Sequence, residues 1–135
     1  MNIEKQILDF VKDISGIDEI NPDSDIFKLG VVGDDFHELI DKYSETYKVD
    51  MTEYLWYFHT DEEGQNIGAL FAKPPYSRVD RIPVTPKLLS EFAKTNKWQM
   101  KYPEHKLPNK RVDTIINQIL VIAFIIIILT IWILK

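Results

Sequence analysis

Residues 115–134 read IINQILVIAFIIIILTIWIL, a run of twenty residues without a charged side chain. As a helix that rises about 1.5 Å per residue, this run is about 30 Å long, which matches the hydrocarbon thickness of a bilayer. A buried helix in a soluble domain would need a polar stripe, and so small a domain has no core that surrounds a helix on every side. The run therefore predicts a transmembrane helix, which we assign to residues 114–135. Near its start, the amides of Asn117 and Gln118 find partners either in interfacial water or in another helix.

Charge on the near side of this run predicts its orientation. The basic residues that precede it are Lys97, Lys101, Lys106, Lys110 and Arg111, and Lys135 follows it. Because positive charge stays on the cytoplasmic side, the N-terminal domain is expected in the cytoplasm. No signal peptide is recognisable at the start of the sequence, so we expect a single-pass, tail-anchored protein. Residues 101–113, which are rich in lysine and proline, are predicted to form a basic stalk.

The rest of the chain is divided in charge. Residues 1–63 contain 17 acidic and 5 basic side chains, whereas residues 64–112 contain 3 acidic and 10 basic ones. The acidic half argues against nucleic acid as a partner, because phosphates would be repelled. The basic half lies next to the apolar run, where anionic lipid headgroups attract Lys and Arg, although a solvated basic face explains it equally well. The absence of cysteine excludes thiolate metal sites and thiol nucleophiles.

Apolar residues at helical spacing predict a mainly α-helical soluble domain over residues 1–100. The first helix is expected to begin after Asn2 and to end at Gly16. A long loop follows, and the second helix is expected between Asp34 and Lys48, with acidic residues at the positive end of its dipole.

The second half of this domain is less regular. Residues 54–58 predict a short helix or irregular segment in the core, and residues 69–84, with three prolines, predict an extended connection. Thr85 and Pro86 predict the start of the last helix of the domain, which Trp98 is expected to close.

Residues 27–50 resemble the acyl carrier proteins, in which a Leu-Gly-x-Asp-Ser-Leu motif opens the second helix. The matches are Leu29-Gly30, Glu38-Leu39 and Tyr47, all without a gap, but Gly33 takes the position of the serine and Val32 that of the aspartate. The chain is similar to an uncharacterised bacterial family described as acyl-carrier-protein-like, domain of unknown function 1493. The resemblance covers about residues 3–98 and implies a small acyl-carrier-like helical bundle.

The missing serine removes the chemistry of a carrier protein. Glycine has no side-chain oxygen, so a phosphopantetheine arm cannot attach at Gly33, and we expect no cofactor. Ser24 and Ser44 are the nearest serines, and neither lies at the opening of the second helix.

The second helix contains the candidate binding residues, which are Asp34, Asp35, Glu38, Asp41 and Glu45. As in carrier proteins, these acids are expected to present a negative surface to a basic protein partner. Two alternatives remain at this stage: Asp34 and Glu38 with His37 as a weak divalent metal site, and a plain solvated face. We expect no metal site.

No catalytic signature is present. The sequence has no Ser-His-Asp pattern, phosphate loop, zinc-protease motif or dinucleotide fingerprint, and a helical domain this small offers little cleft for paired carboxylates. We therefore expect a non-catalytic adaptor at a bacterial inner membrane, whose partners are the lipid bilayer and a basic protein surface. The alternative is an acyl or lipid-handling carrier, modified at another serine or holding a chain among its helices.

Overall fold

A computed structural model describes residues 2–135, and this range is mainly helical. Its α-helices, in chain order, are α1 (Ile3–Ser15), α2 (Gly33–Tyr47), α3 (Pro86–Thr95) and α4 (Val112–Ile133). Short 3₁₀ turns lie at Trp56–Phe58, Ile67–Leu70 and Pro75–Ser77. The described residues form no strand, only an isolated parallel bridge between Asp50 and Lys97. The predicted mainly helical class, ending in one long apolar helix, is confirmed.

Local capping explains where α1 and α3 begin. The side chain of Asn2 accepts a hydrogen bond from the Glu4 N–H at 3.0 Å, and Gly16 ends α1 with a φ of 68°. At α3, the Thr85 hydroxyl accepts from the Leu88 N–H at 3.1 Å, with proline at the first helical position. These groups satisfy amides that a helix end leaves unpaired, as the sequence predicts.

The prediction that Trp98 closes α3 is wrong. The helix ends at Thr95, because Asn96 adopts a left-handed conformation with a φ of 53°. Trp98 lies beyond this turn and is fully buried, and its backbone N–H donates to the Asp50 backbone carbonyl at 2.9 Å. Its function is thus to fill the core and to join the end of α3 to the segment after α2.

The core forms where α1 packs against both α2 and α3. Its largest fully buried side chains are Trp98, Tyr43, Phe36, Phe58, Ile7, Ile26, Leu39 and Leu89. All of these except Phe58 belong to one contiguous core, to which all three helices and the loops between them contribute.

The segment between α2 and α3 is more ordered than the sequence predicts. We expected residues 69–84 to be extended, but the 3₁₀ turns Ile67–Leu70 and Pro75–Ser77 cover parts of it. The predicted short helix in residues 54–58 is present as the turn Trp56–Phe58. The aromatic ring of Phe58 is buried, and its packing holds the turn Trp56–Phe58 in place.

Residues 101–111 have no regular structure but contact the domain. The Tyr102 hydroxyl lies 2.8 Å from His59 Nε2, and His105 Nε2 lies 2.8 Å from the Tyr57 hydroxyl. The segment ends where α4 begins at Val112. At 22 residues, α4 is long and apolar enough to cross a membrane, and its most apolar stretch is not buried against the domain.

Candidate functional site

Four acidic residues of α2 form one stripe on its solvent side. Asp34, Glu38, Asp41 and Glu45 are all exposed, and residues three and four apart share a helix face. The opposite side of the helix is buried through Phe36, Leu39, Ile40 and Tyr43. The structure therefore brings four of the five predicted binding residues together, and we call this group the acidic stripe.

Asp35 lies to one side of the acidic stripe, about 100° around the helix from Asp34. It is exposed and, together with Glu38, borders a shallow hollow of about 190 Å³ between the end of α1 and the start of α2. The other residues that line this hollow are Ile14, Ser15, Ile17, Leu29, Gly30 and Val31. Asp35 thus belongs to the same surface region but faces a partly apolar depression.

Two hydroxyl contacts of α2, one buried and one partly buried, fix the orientation of the acidic stripe. The Tyr43 hydroxyl donates to the Leu89 carbonyl of α3 at 2.6 Å, and the Tyr47 hydroxyl donates to the Gln6 carbonyl of α1 at 3.3 Å. Burial raises the pKa of Tyr43, so its hydroxyl keeps its proton at neutral pH. The stripe is therefore presented by a helix that is tied to both of its neighbours.

The negative charge of this face is largely uncompensated. Glu38 forms an ion pair with Lys42 one turn later, and both side chains are exposed. Across residues 2–135, no Lys, Arg or His nitrogen lies within 4.0 Å of the carboxylates of Asp34, Asp35, Asp41 or Glu45. Unpaired carboxylates on one helix face leave a negative potential that extends into solvent.

The position that a carrier protein would use for its arm is held by Gly33, which is bonded to residues 60–61 and lies beside Glu63. Gly33 has a φ of 55°, and its N–H donates to Thr60 Oγ1 at 3.1 Å and to Asp61 Oδ1 at 3.0 Å. A Cβ added to Gly33 would meet the exposed side chain of Glu63, which would have to move to make room. Residues 60–63, which the sequence identifies only as a polar loop, therefore cap the start of α2 and cover position 33.

The alternative of a metal site gains no geometric support. Among residues 2–135, no group of three or more Asp, Glu or His side chains is arranged to hold a metal ion. His37 is half-buried, and its ring centroid lies 5.6 Å from that of Trp56. The imidazole thus packs on an aromatic ring rather than joining the carboxylates of the acidic stripe.

A second group of polar contacts lies where α4 begins. Asp113 is 1% exposed and accepts from Arg111 Nε at 3.0 Å and from Asn66 Nδ2 at 2.9 Å. Asn117 donates to Asn66 Oδ1 at 2.7 Å and accepts from the Gly68 N–H at 2.7 Å. We call these five residues the α4 joint.

The α4 joint corrects one expectation and was not foreseen from the sequence. The partner of Asn117 is neither interfacial water nor another transmembrane helix but the domain of the same chain. Gln118 is exposed, and its interfacial placement stays a prediction. The available signal was the pair of polar residues at the start of an apolar run, which need partners if that run lies in lipid.

A known protein family matches the part of the chain that precedes α4. The model of a family described as "Protein of unknown function (DUF1493)" matches residues 1–101. The chain belongs to this family. No curated protein and no solved structure matches the chain. The DUF1493 region includes α1, α2, α3 and the acidic stripe, whereas α4 lies outside it.

Proposed function

We propose that the protein is a membrane-anchored, non-catalytic adaptor whose DUF1493 domain binds a basic protein surface through the acidic stripe. The observation on which the proposal rests is the set of exposed, largely unpaired carboxylates along one side of a fixed helix. Such a surface favours fast, salt-sensitive association with Lys and Arg side chains on a partner. A rigid helix also limits the entropy lost on binding.

We further propose that the domain derives from an acyl-carrier-like fold that no longer carries an acyl group. The order of α1, a long loop and α2 is compatible with that origin. Gly33 has no oxygen to hold a phosphopantetheine arm, and Glu63 fills the space beside it. These features favour the adaptor over the carrier, because the carrier reaction needs a free hydroxyl at the opening of α2.

The location that we propose is a bacterial inner membrane, crossed once by α4, with the DUF1493 domain in the cytoplasm. At about 1.5 Å per residue, the 22 residues of α4 are about 33 Å long, which suffices for the hydrocarbon layer. Basic residues from Lys97 to Arg111 precede the helix, which supports a cytoplasmic domain by the positive-inside rule.

Neutralising the acidic stripe tests the adaptor function. The full chain with Asp34→Asn, Glu38→Gln, Asp41→Asn and Glu45→Gln is crosslinked in intact membranes, and captured proteins are quantified against the unmodified chain. Exposed ion pairs contribute about 0.2–1 kcal/mol each, so losing four should reduce capture by roughly fourfold or more. Because these side chains are exposed, the helical circular dichroism signal should not change.

A matched control removes the same charge elsewhere. Asp9, Asp13, Asp18 and Glu19 are exposed acids on α1 and the following loop, and their amide variants should leave capture unchanged. If the two variants behave alike, the acidic stripe is not the binding surface. Intact mass after co-expression with a phosphopantetheinyl transferase tests the alternative, and an added arm would overturn the non-carrier proposal.

A further inference from the structure

The turn Ile67–Leu70 and the residue after it expose an unusual amount of apolar surface. Ile67 is 52% exposed, Leu70 is 82% exposed and Phe71 is 74% exposed. Among the described residues that precede α4, these are the large hydrophobic side chains that are exposed. Exposing three such side chains on one short turn is costly in water and typical of a contact surface. We call them the apolar turn.

The apolar turn is fastened to the first turns of α4. The Gly68 N–H donates to Asn117 Oδ1 at 2.7 Å, and Asn66 bonds to both Asp113 and Asn117. The backbones are so close that a Cβ on Gly68 would lie 1.9 Å from the Asp113 carbonyl oxygen. The position of the turn relative to α4 is therefore set by several direct contacts.

These contacts place the turn at the level where α4 becomes apolar. Ile67 borders a groove of about 530 Å³ together with Leu120, Val121 and Phe124 of α4. The uncharged part of the helix begins at residue 114, and Leu120 lies about 9 Å further along it. If α4 lies in a bilayer, this depth corresponds to the boundary between headgroups and acyl chains, where partly inserted apolar side chains are found.

The charges around the turn suit a lipid surface. Residues 64–72 have no charged side chain, and Lys73 and Lys110 lie close together beside the start of α4. Both lysines are exposed, and anionic headgroups attract such residues near the surface. The polar groups closest to the apolar run, those of Asp113 and Asn117, are paired within the protein, as a lipid environment requires.

We propose that the apolar turn inserts into the interfacial layer of the leaflet through which α4 enters the membrane. Ile67, Leu70 and Phe71 then form a second membrane contact that fixes the DUF1493 domain on the bilayer surface. This inference rests on the proposed crossing of the membrane by α4. Lipid is the occupant that the structure favours, because the turn is continuous with a helix whose surface from Ile119 onward is almost entirely apolar.

Site-directed labelling of the full chain tests the proposal. The chain has no cysteine, so Leu70→Cys and Phe71→Cys can each be labelled with one environment-sensitive fluorophore. The proteins are reconstituted in phosphatidylcholine–phosphatidylglycerol vesicles that contain spin-labelled lipids with the quencher at a shallow or a deep position. We expect a blue-shifted emission at both sites and stronger quenching by the shallow quencher.

Two control positions separate this inference from the proposed membrane crossing. Ile127→Cys in the middle of α4 should be quenched by the deep quencher, and Thr46→Cys near the far end of α2 should not be quenched. If Ile127→Cys is quenched but Leu70→Cys and Phe71→Cys are not, the apolar turn does not insert although α4 crosses the bilayer. If Ile127→Cys is not quenched, the crossing itself fails. If oxidation links unlabelled Phe71→Cys chains in pairs within the vesicles, the turn contacts a second copy, and the lipid proposal is overturned.

Discussion

At the scale of single residues, His59 has the most constrained environment in the soluble part. It is fully buried, with Nδ1 2.9 Å from the Ile82 carbonyl and Nε2 2.8 Å from the Tyr102 hydroxyl. That hydroxyl already accepts from the Leu55 N–H and from Trp98 Nε1, so its own hydrogen points to His59 Nε2. His59 is therefore neutral, with its proton on Nδ1 and donated to Ile82.

The buried imidazole predicts a loss of stability in mild acid. Burial lowers the pKa of His59 to about 4, although its bond to the Ile82 carbonyl opposes this shift. In the unfolded chain this histidine binds a proton near pH 6.5, whereas in the folded chain it stays neutral until about pH 4. Its contribution to stability is therefore full above pH 6.5 and falls as the pH drops toward 4. The loss is on the order of 3 kcal/mol, and urea unfolding of the full chain in detergent at several pH values measures it.

A non-titrating variant isolates the contribution of His59. His59→Gln should be less stable at neutral pH but should show a much smaller pH slope between 6.5 and 4. An unchanged slope in this variant would contradict the assignment.

For Asp25, burial raises the pKa, but hydrogen bonds and charge from Arg81 outweigh it, so the pKa is lowered. Its stabilisation is lost only below about pH 3.8, outside the window of His59.

For Gly33, the sequence predicts the position and the missing hydroxyl but not the residues that surround it. Its place in the second helix and its lack of a hydroxyl follow directly from the sequence motif. The covering by Glu63 and the capping by Thr60 and Asp61 do not, because these residues lie about 30 positions away in a loop without a repeating pattern. Local motifs thus predict which chemistry is absent, while the tertiary fold shows what replaces it.

At the scale of elements, the helices and the turn Trp56–Phe58 were predictable, but the turns Ile67–Leu70 and Pro75–Ser77 were not. The ends of α1 and the start of α3 depend on residues within three positions, such as Asn2 and Thr85, so the sequence contains the whole signal. The turn Ile67–Leu70 depends instead on Asp113 and Asn117, whose bonds to it span 47 to 51 positions. A pattern search over neighbouring residues cannot detect such partners.

The contact between this turn and α4 predicts a local effect of replacing Asn117. In Asn117→Leu, the Gly68 N–H loses its acceptor beside a close backbone contact, which costs about 1–3 kcal/mol. Amide hydrogen exchange in residues 64–72 of the reconstituted chain should therefore accelerate by about fivefold or more, because the turn opens more often.

Gln118 provides the matched control for this experiment. It is the neighbouring amide on the same helix but is exposed, so Gln118→Leu should leave exchange in residues 64–72 unchanged. Equal acceleration in both variants would mean that the apolar character of the replacement, rather than the lost hydrogen bond, loosens the turn.

At the scale of the whole molecule, one loop connects the acidic stripe to the apolar helix. Residues 60–63 cap α2 at Gly33, and Glu62 forms an ion pair with Arg111 at 2.9 Å, directly before α4. Asn66, three residues after the end of this loop, forms hydrogen bonds within the α4 joint. The proposed partner-binding helix is thus joined to the proposed anchor through protein contacts.

This arrangement predicts that two basic residues beside α4 matter for the position of the domain on anionic membranes. The double variant Lys73→Gln, Lys110→Gln should lose about 1 kcal/mol of lipid attraction per residue, so labelled Phe71→Cys should show weaker shallow quenching in anionic vesicles. The control, Lys28→Gln with Lys48→Gln, removes the same charge from exposed positions in the acidic half and should change nothing. Higher salt should weaken quenching in the unmodified chain and have little effect in the first variant. If the two double variants respond alike, net charge alone governs docking, and the basic residues beside α4 have no special function.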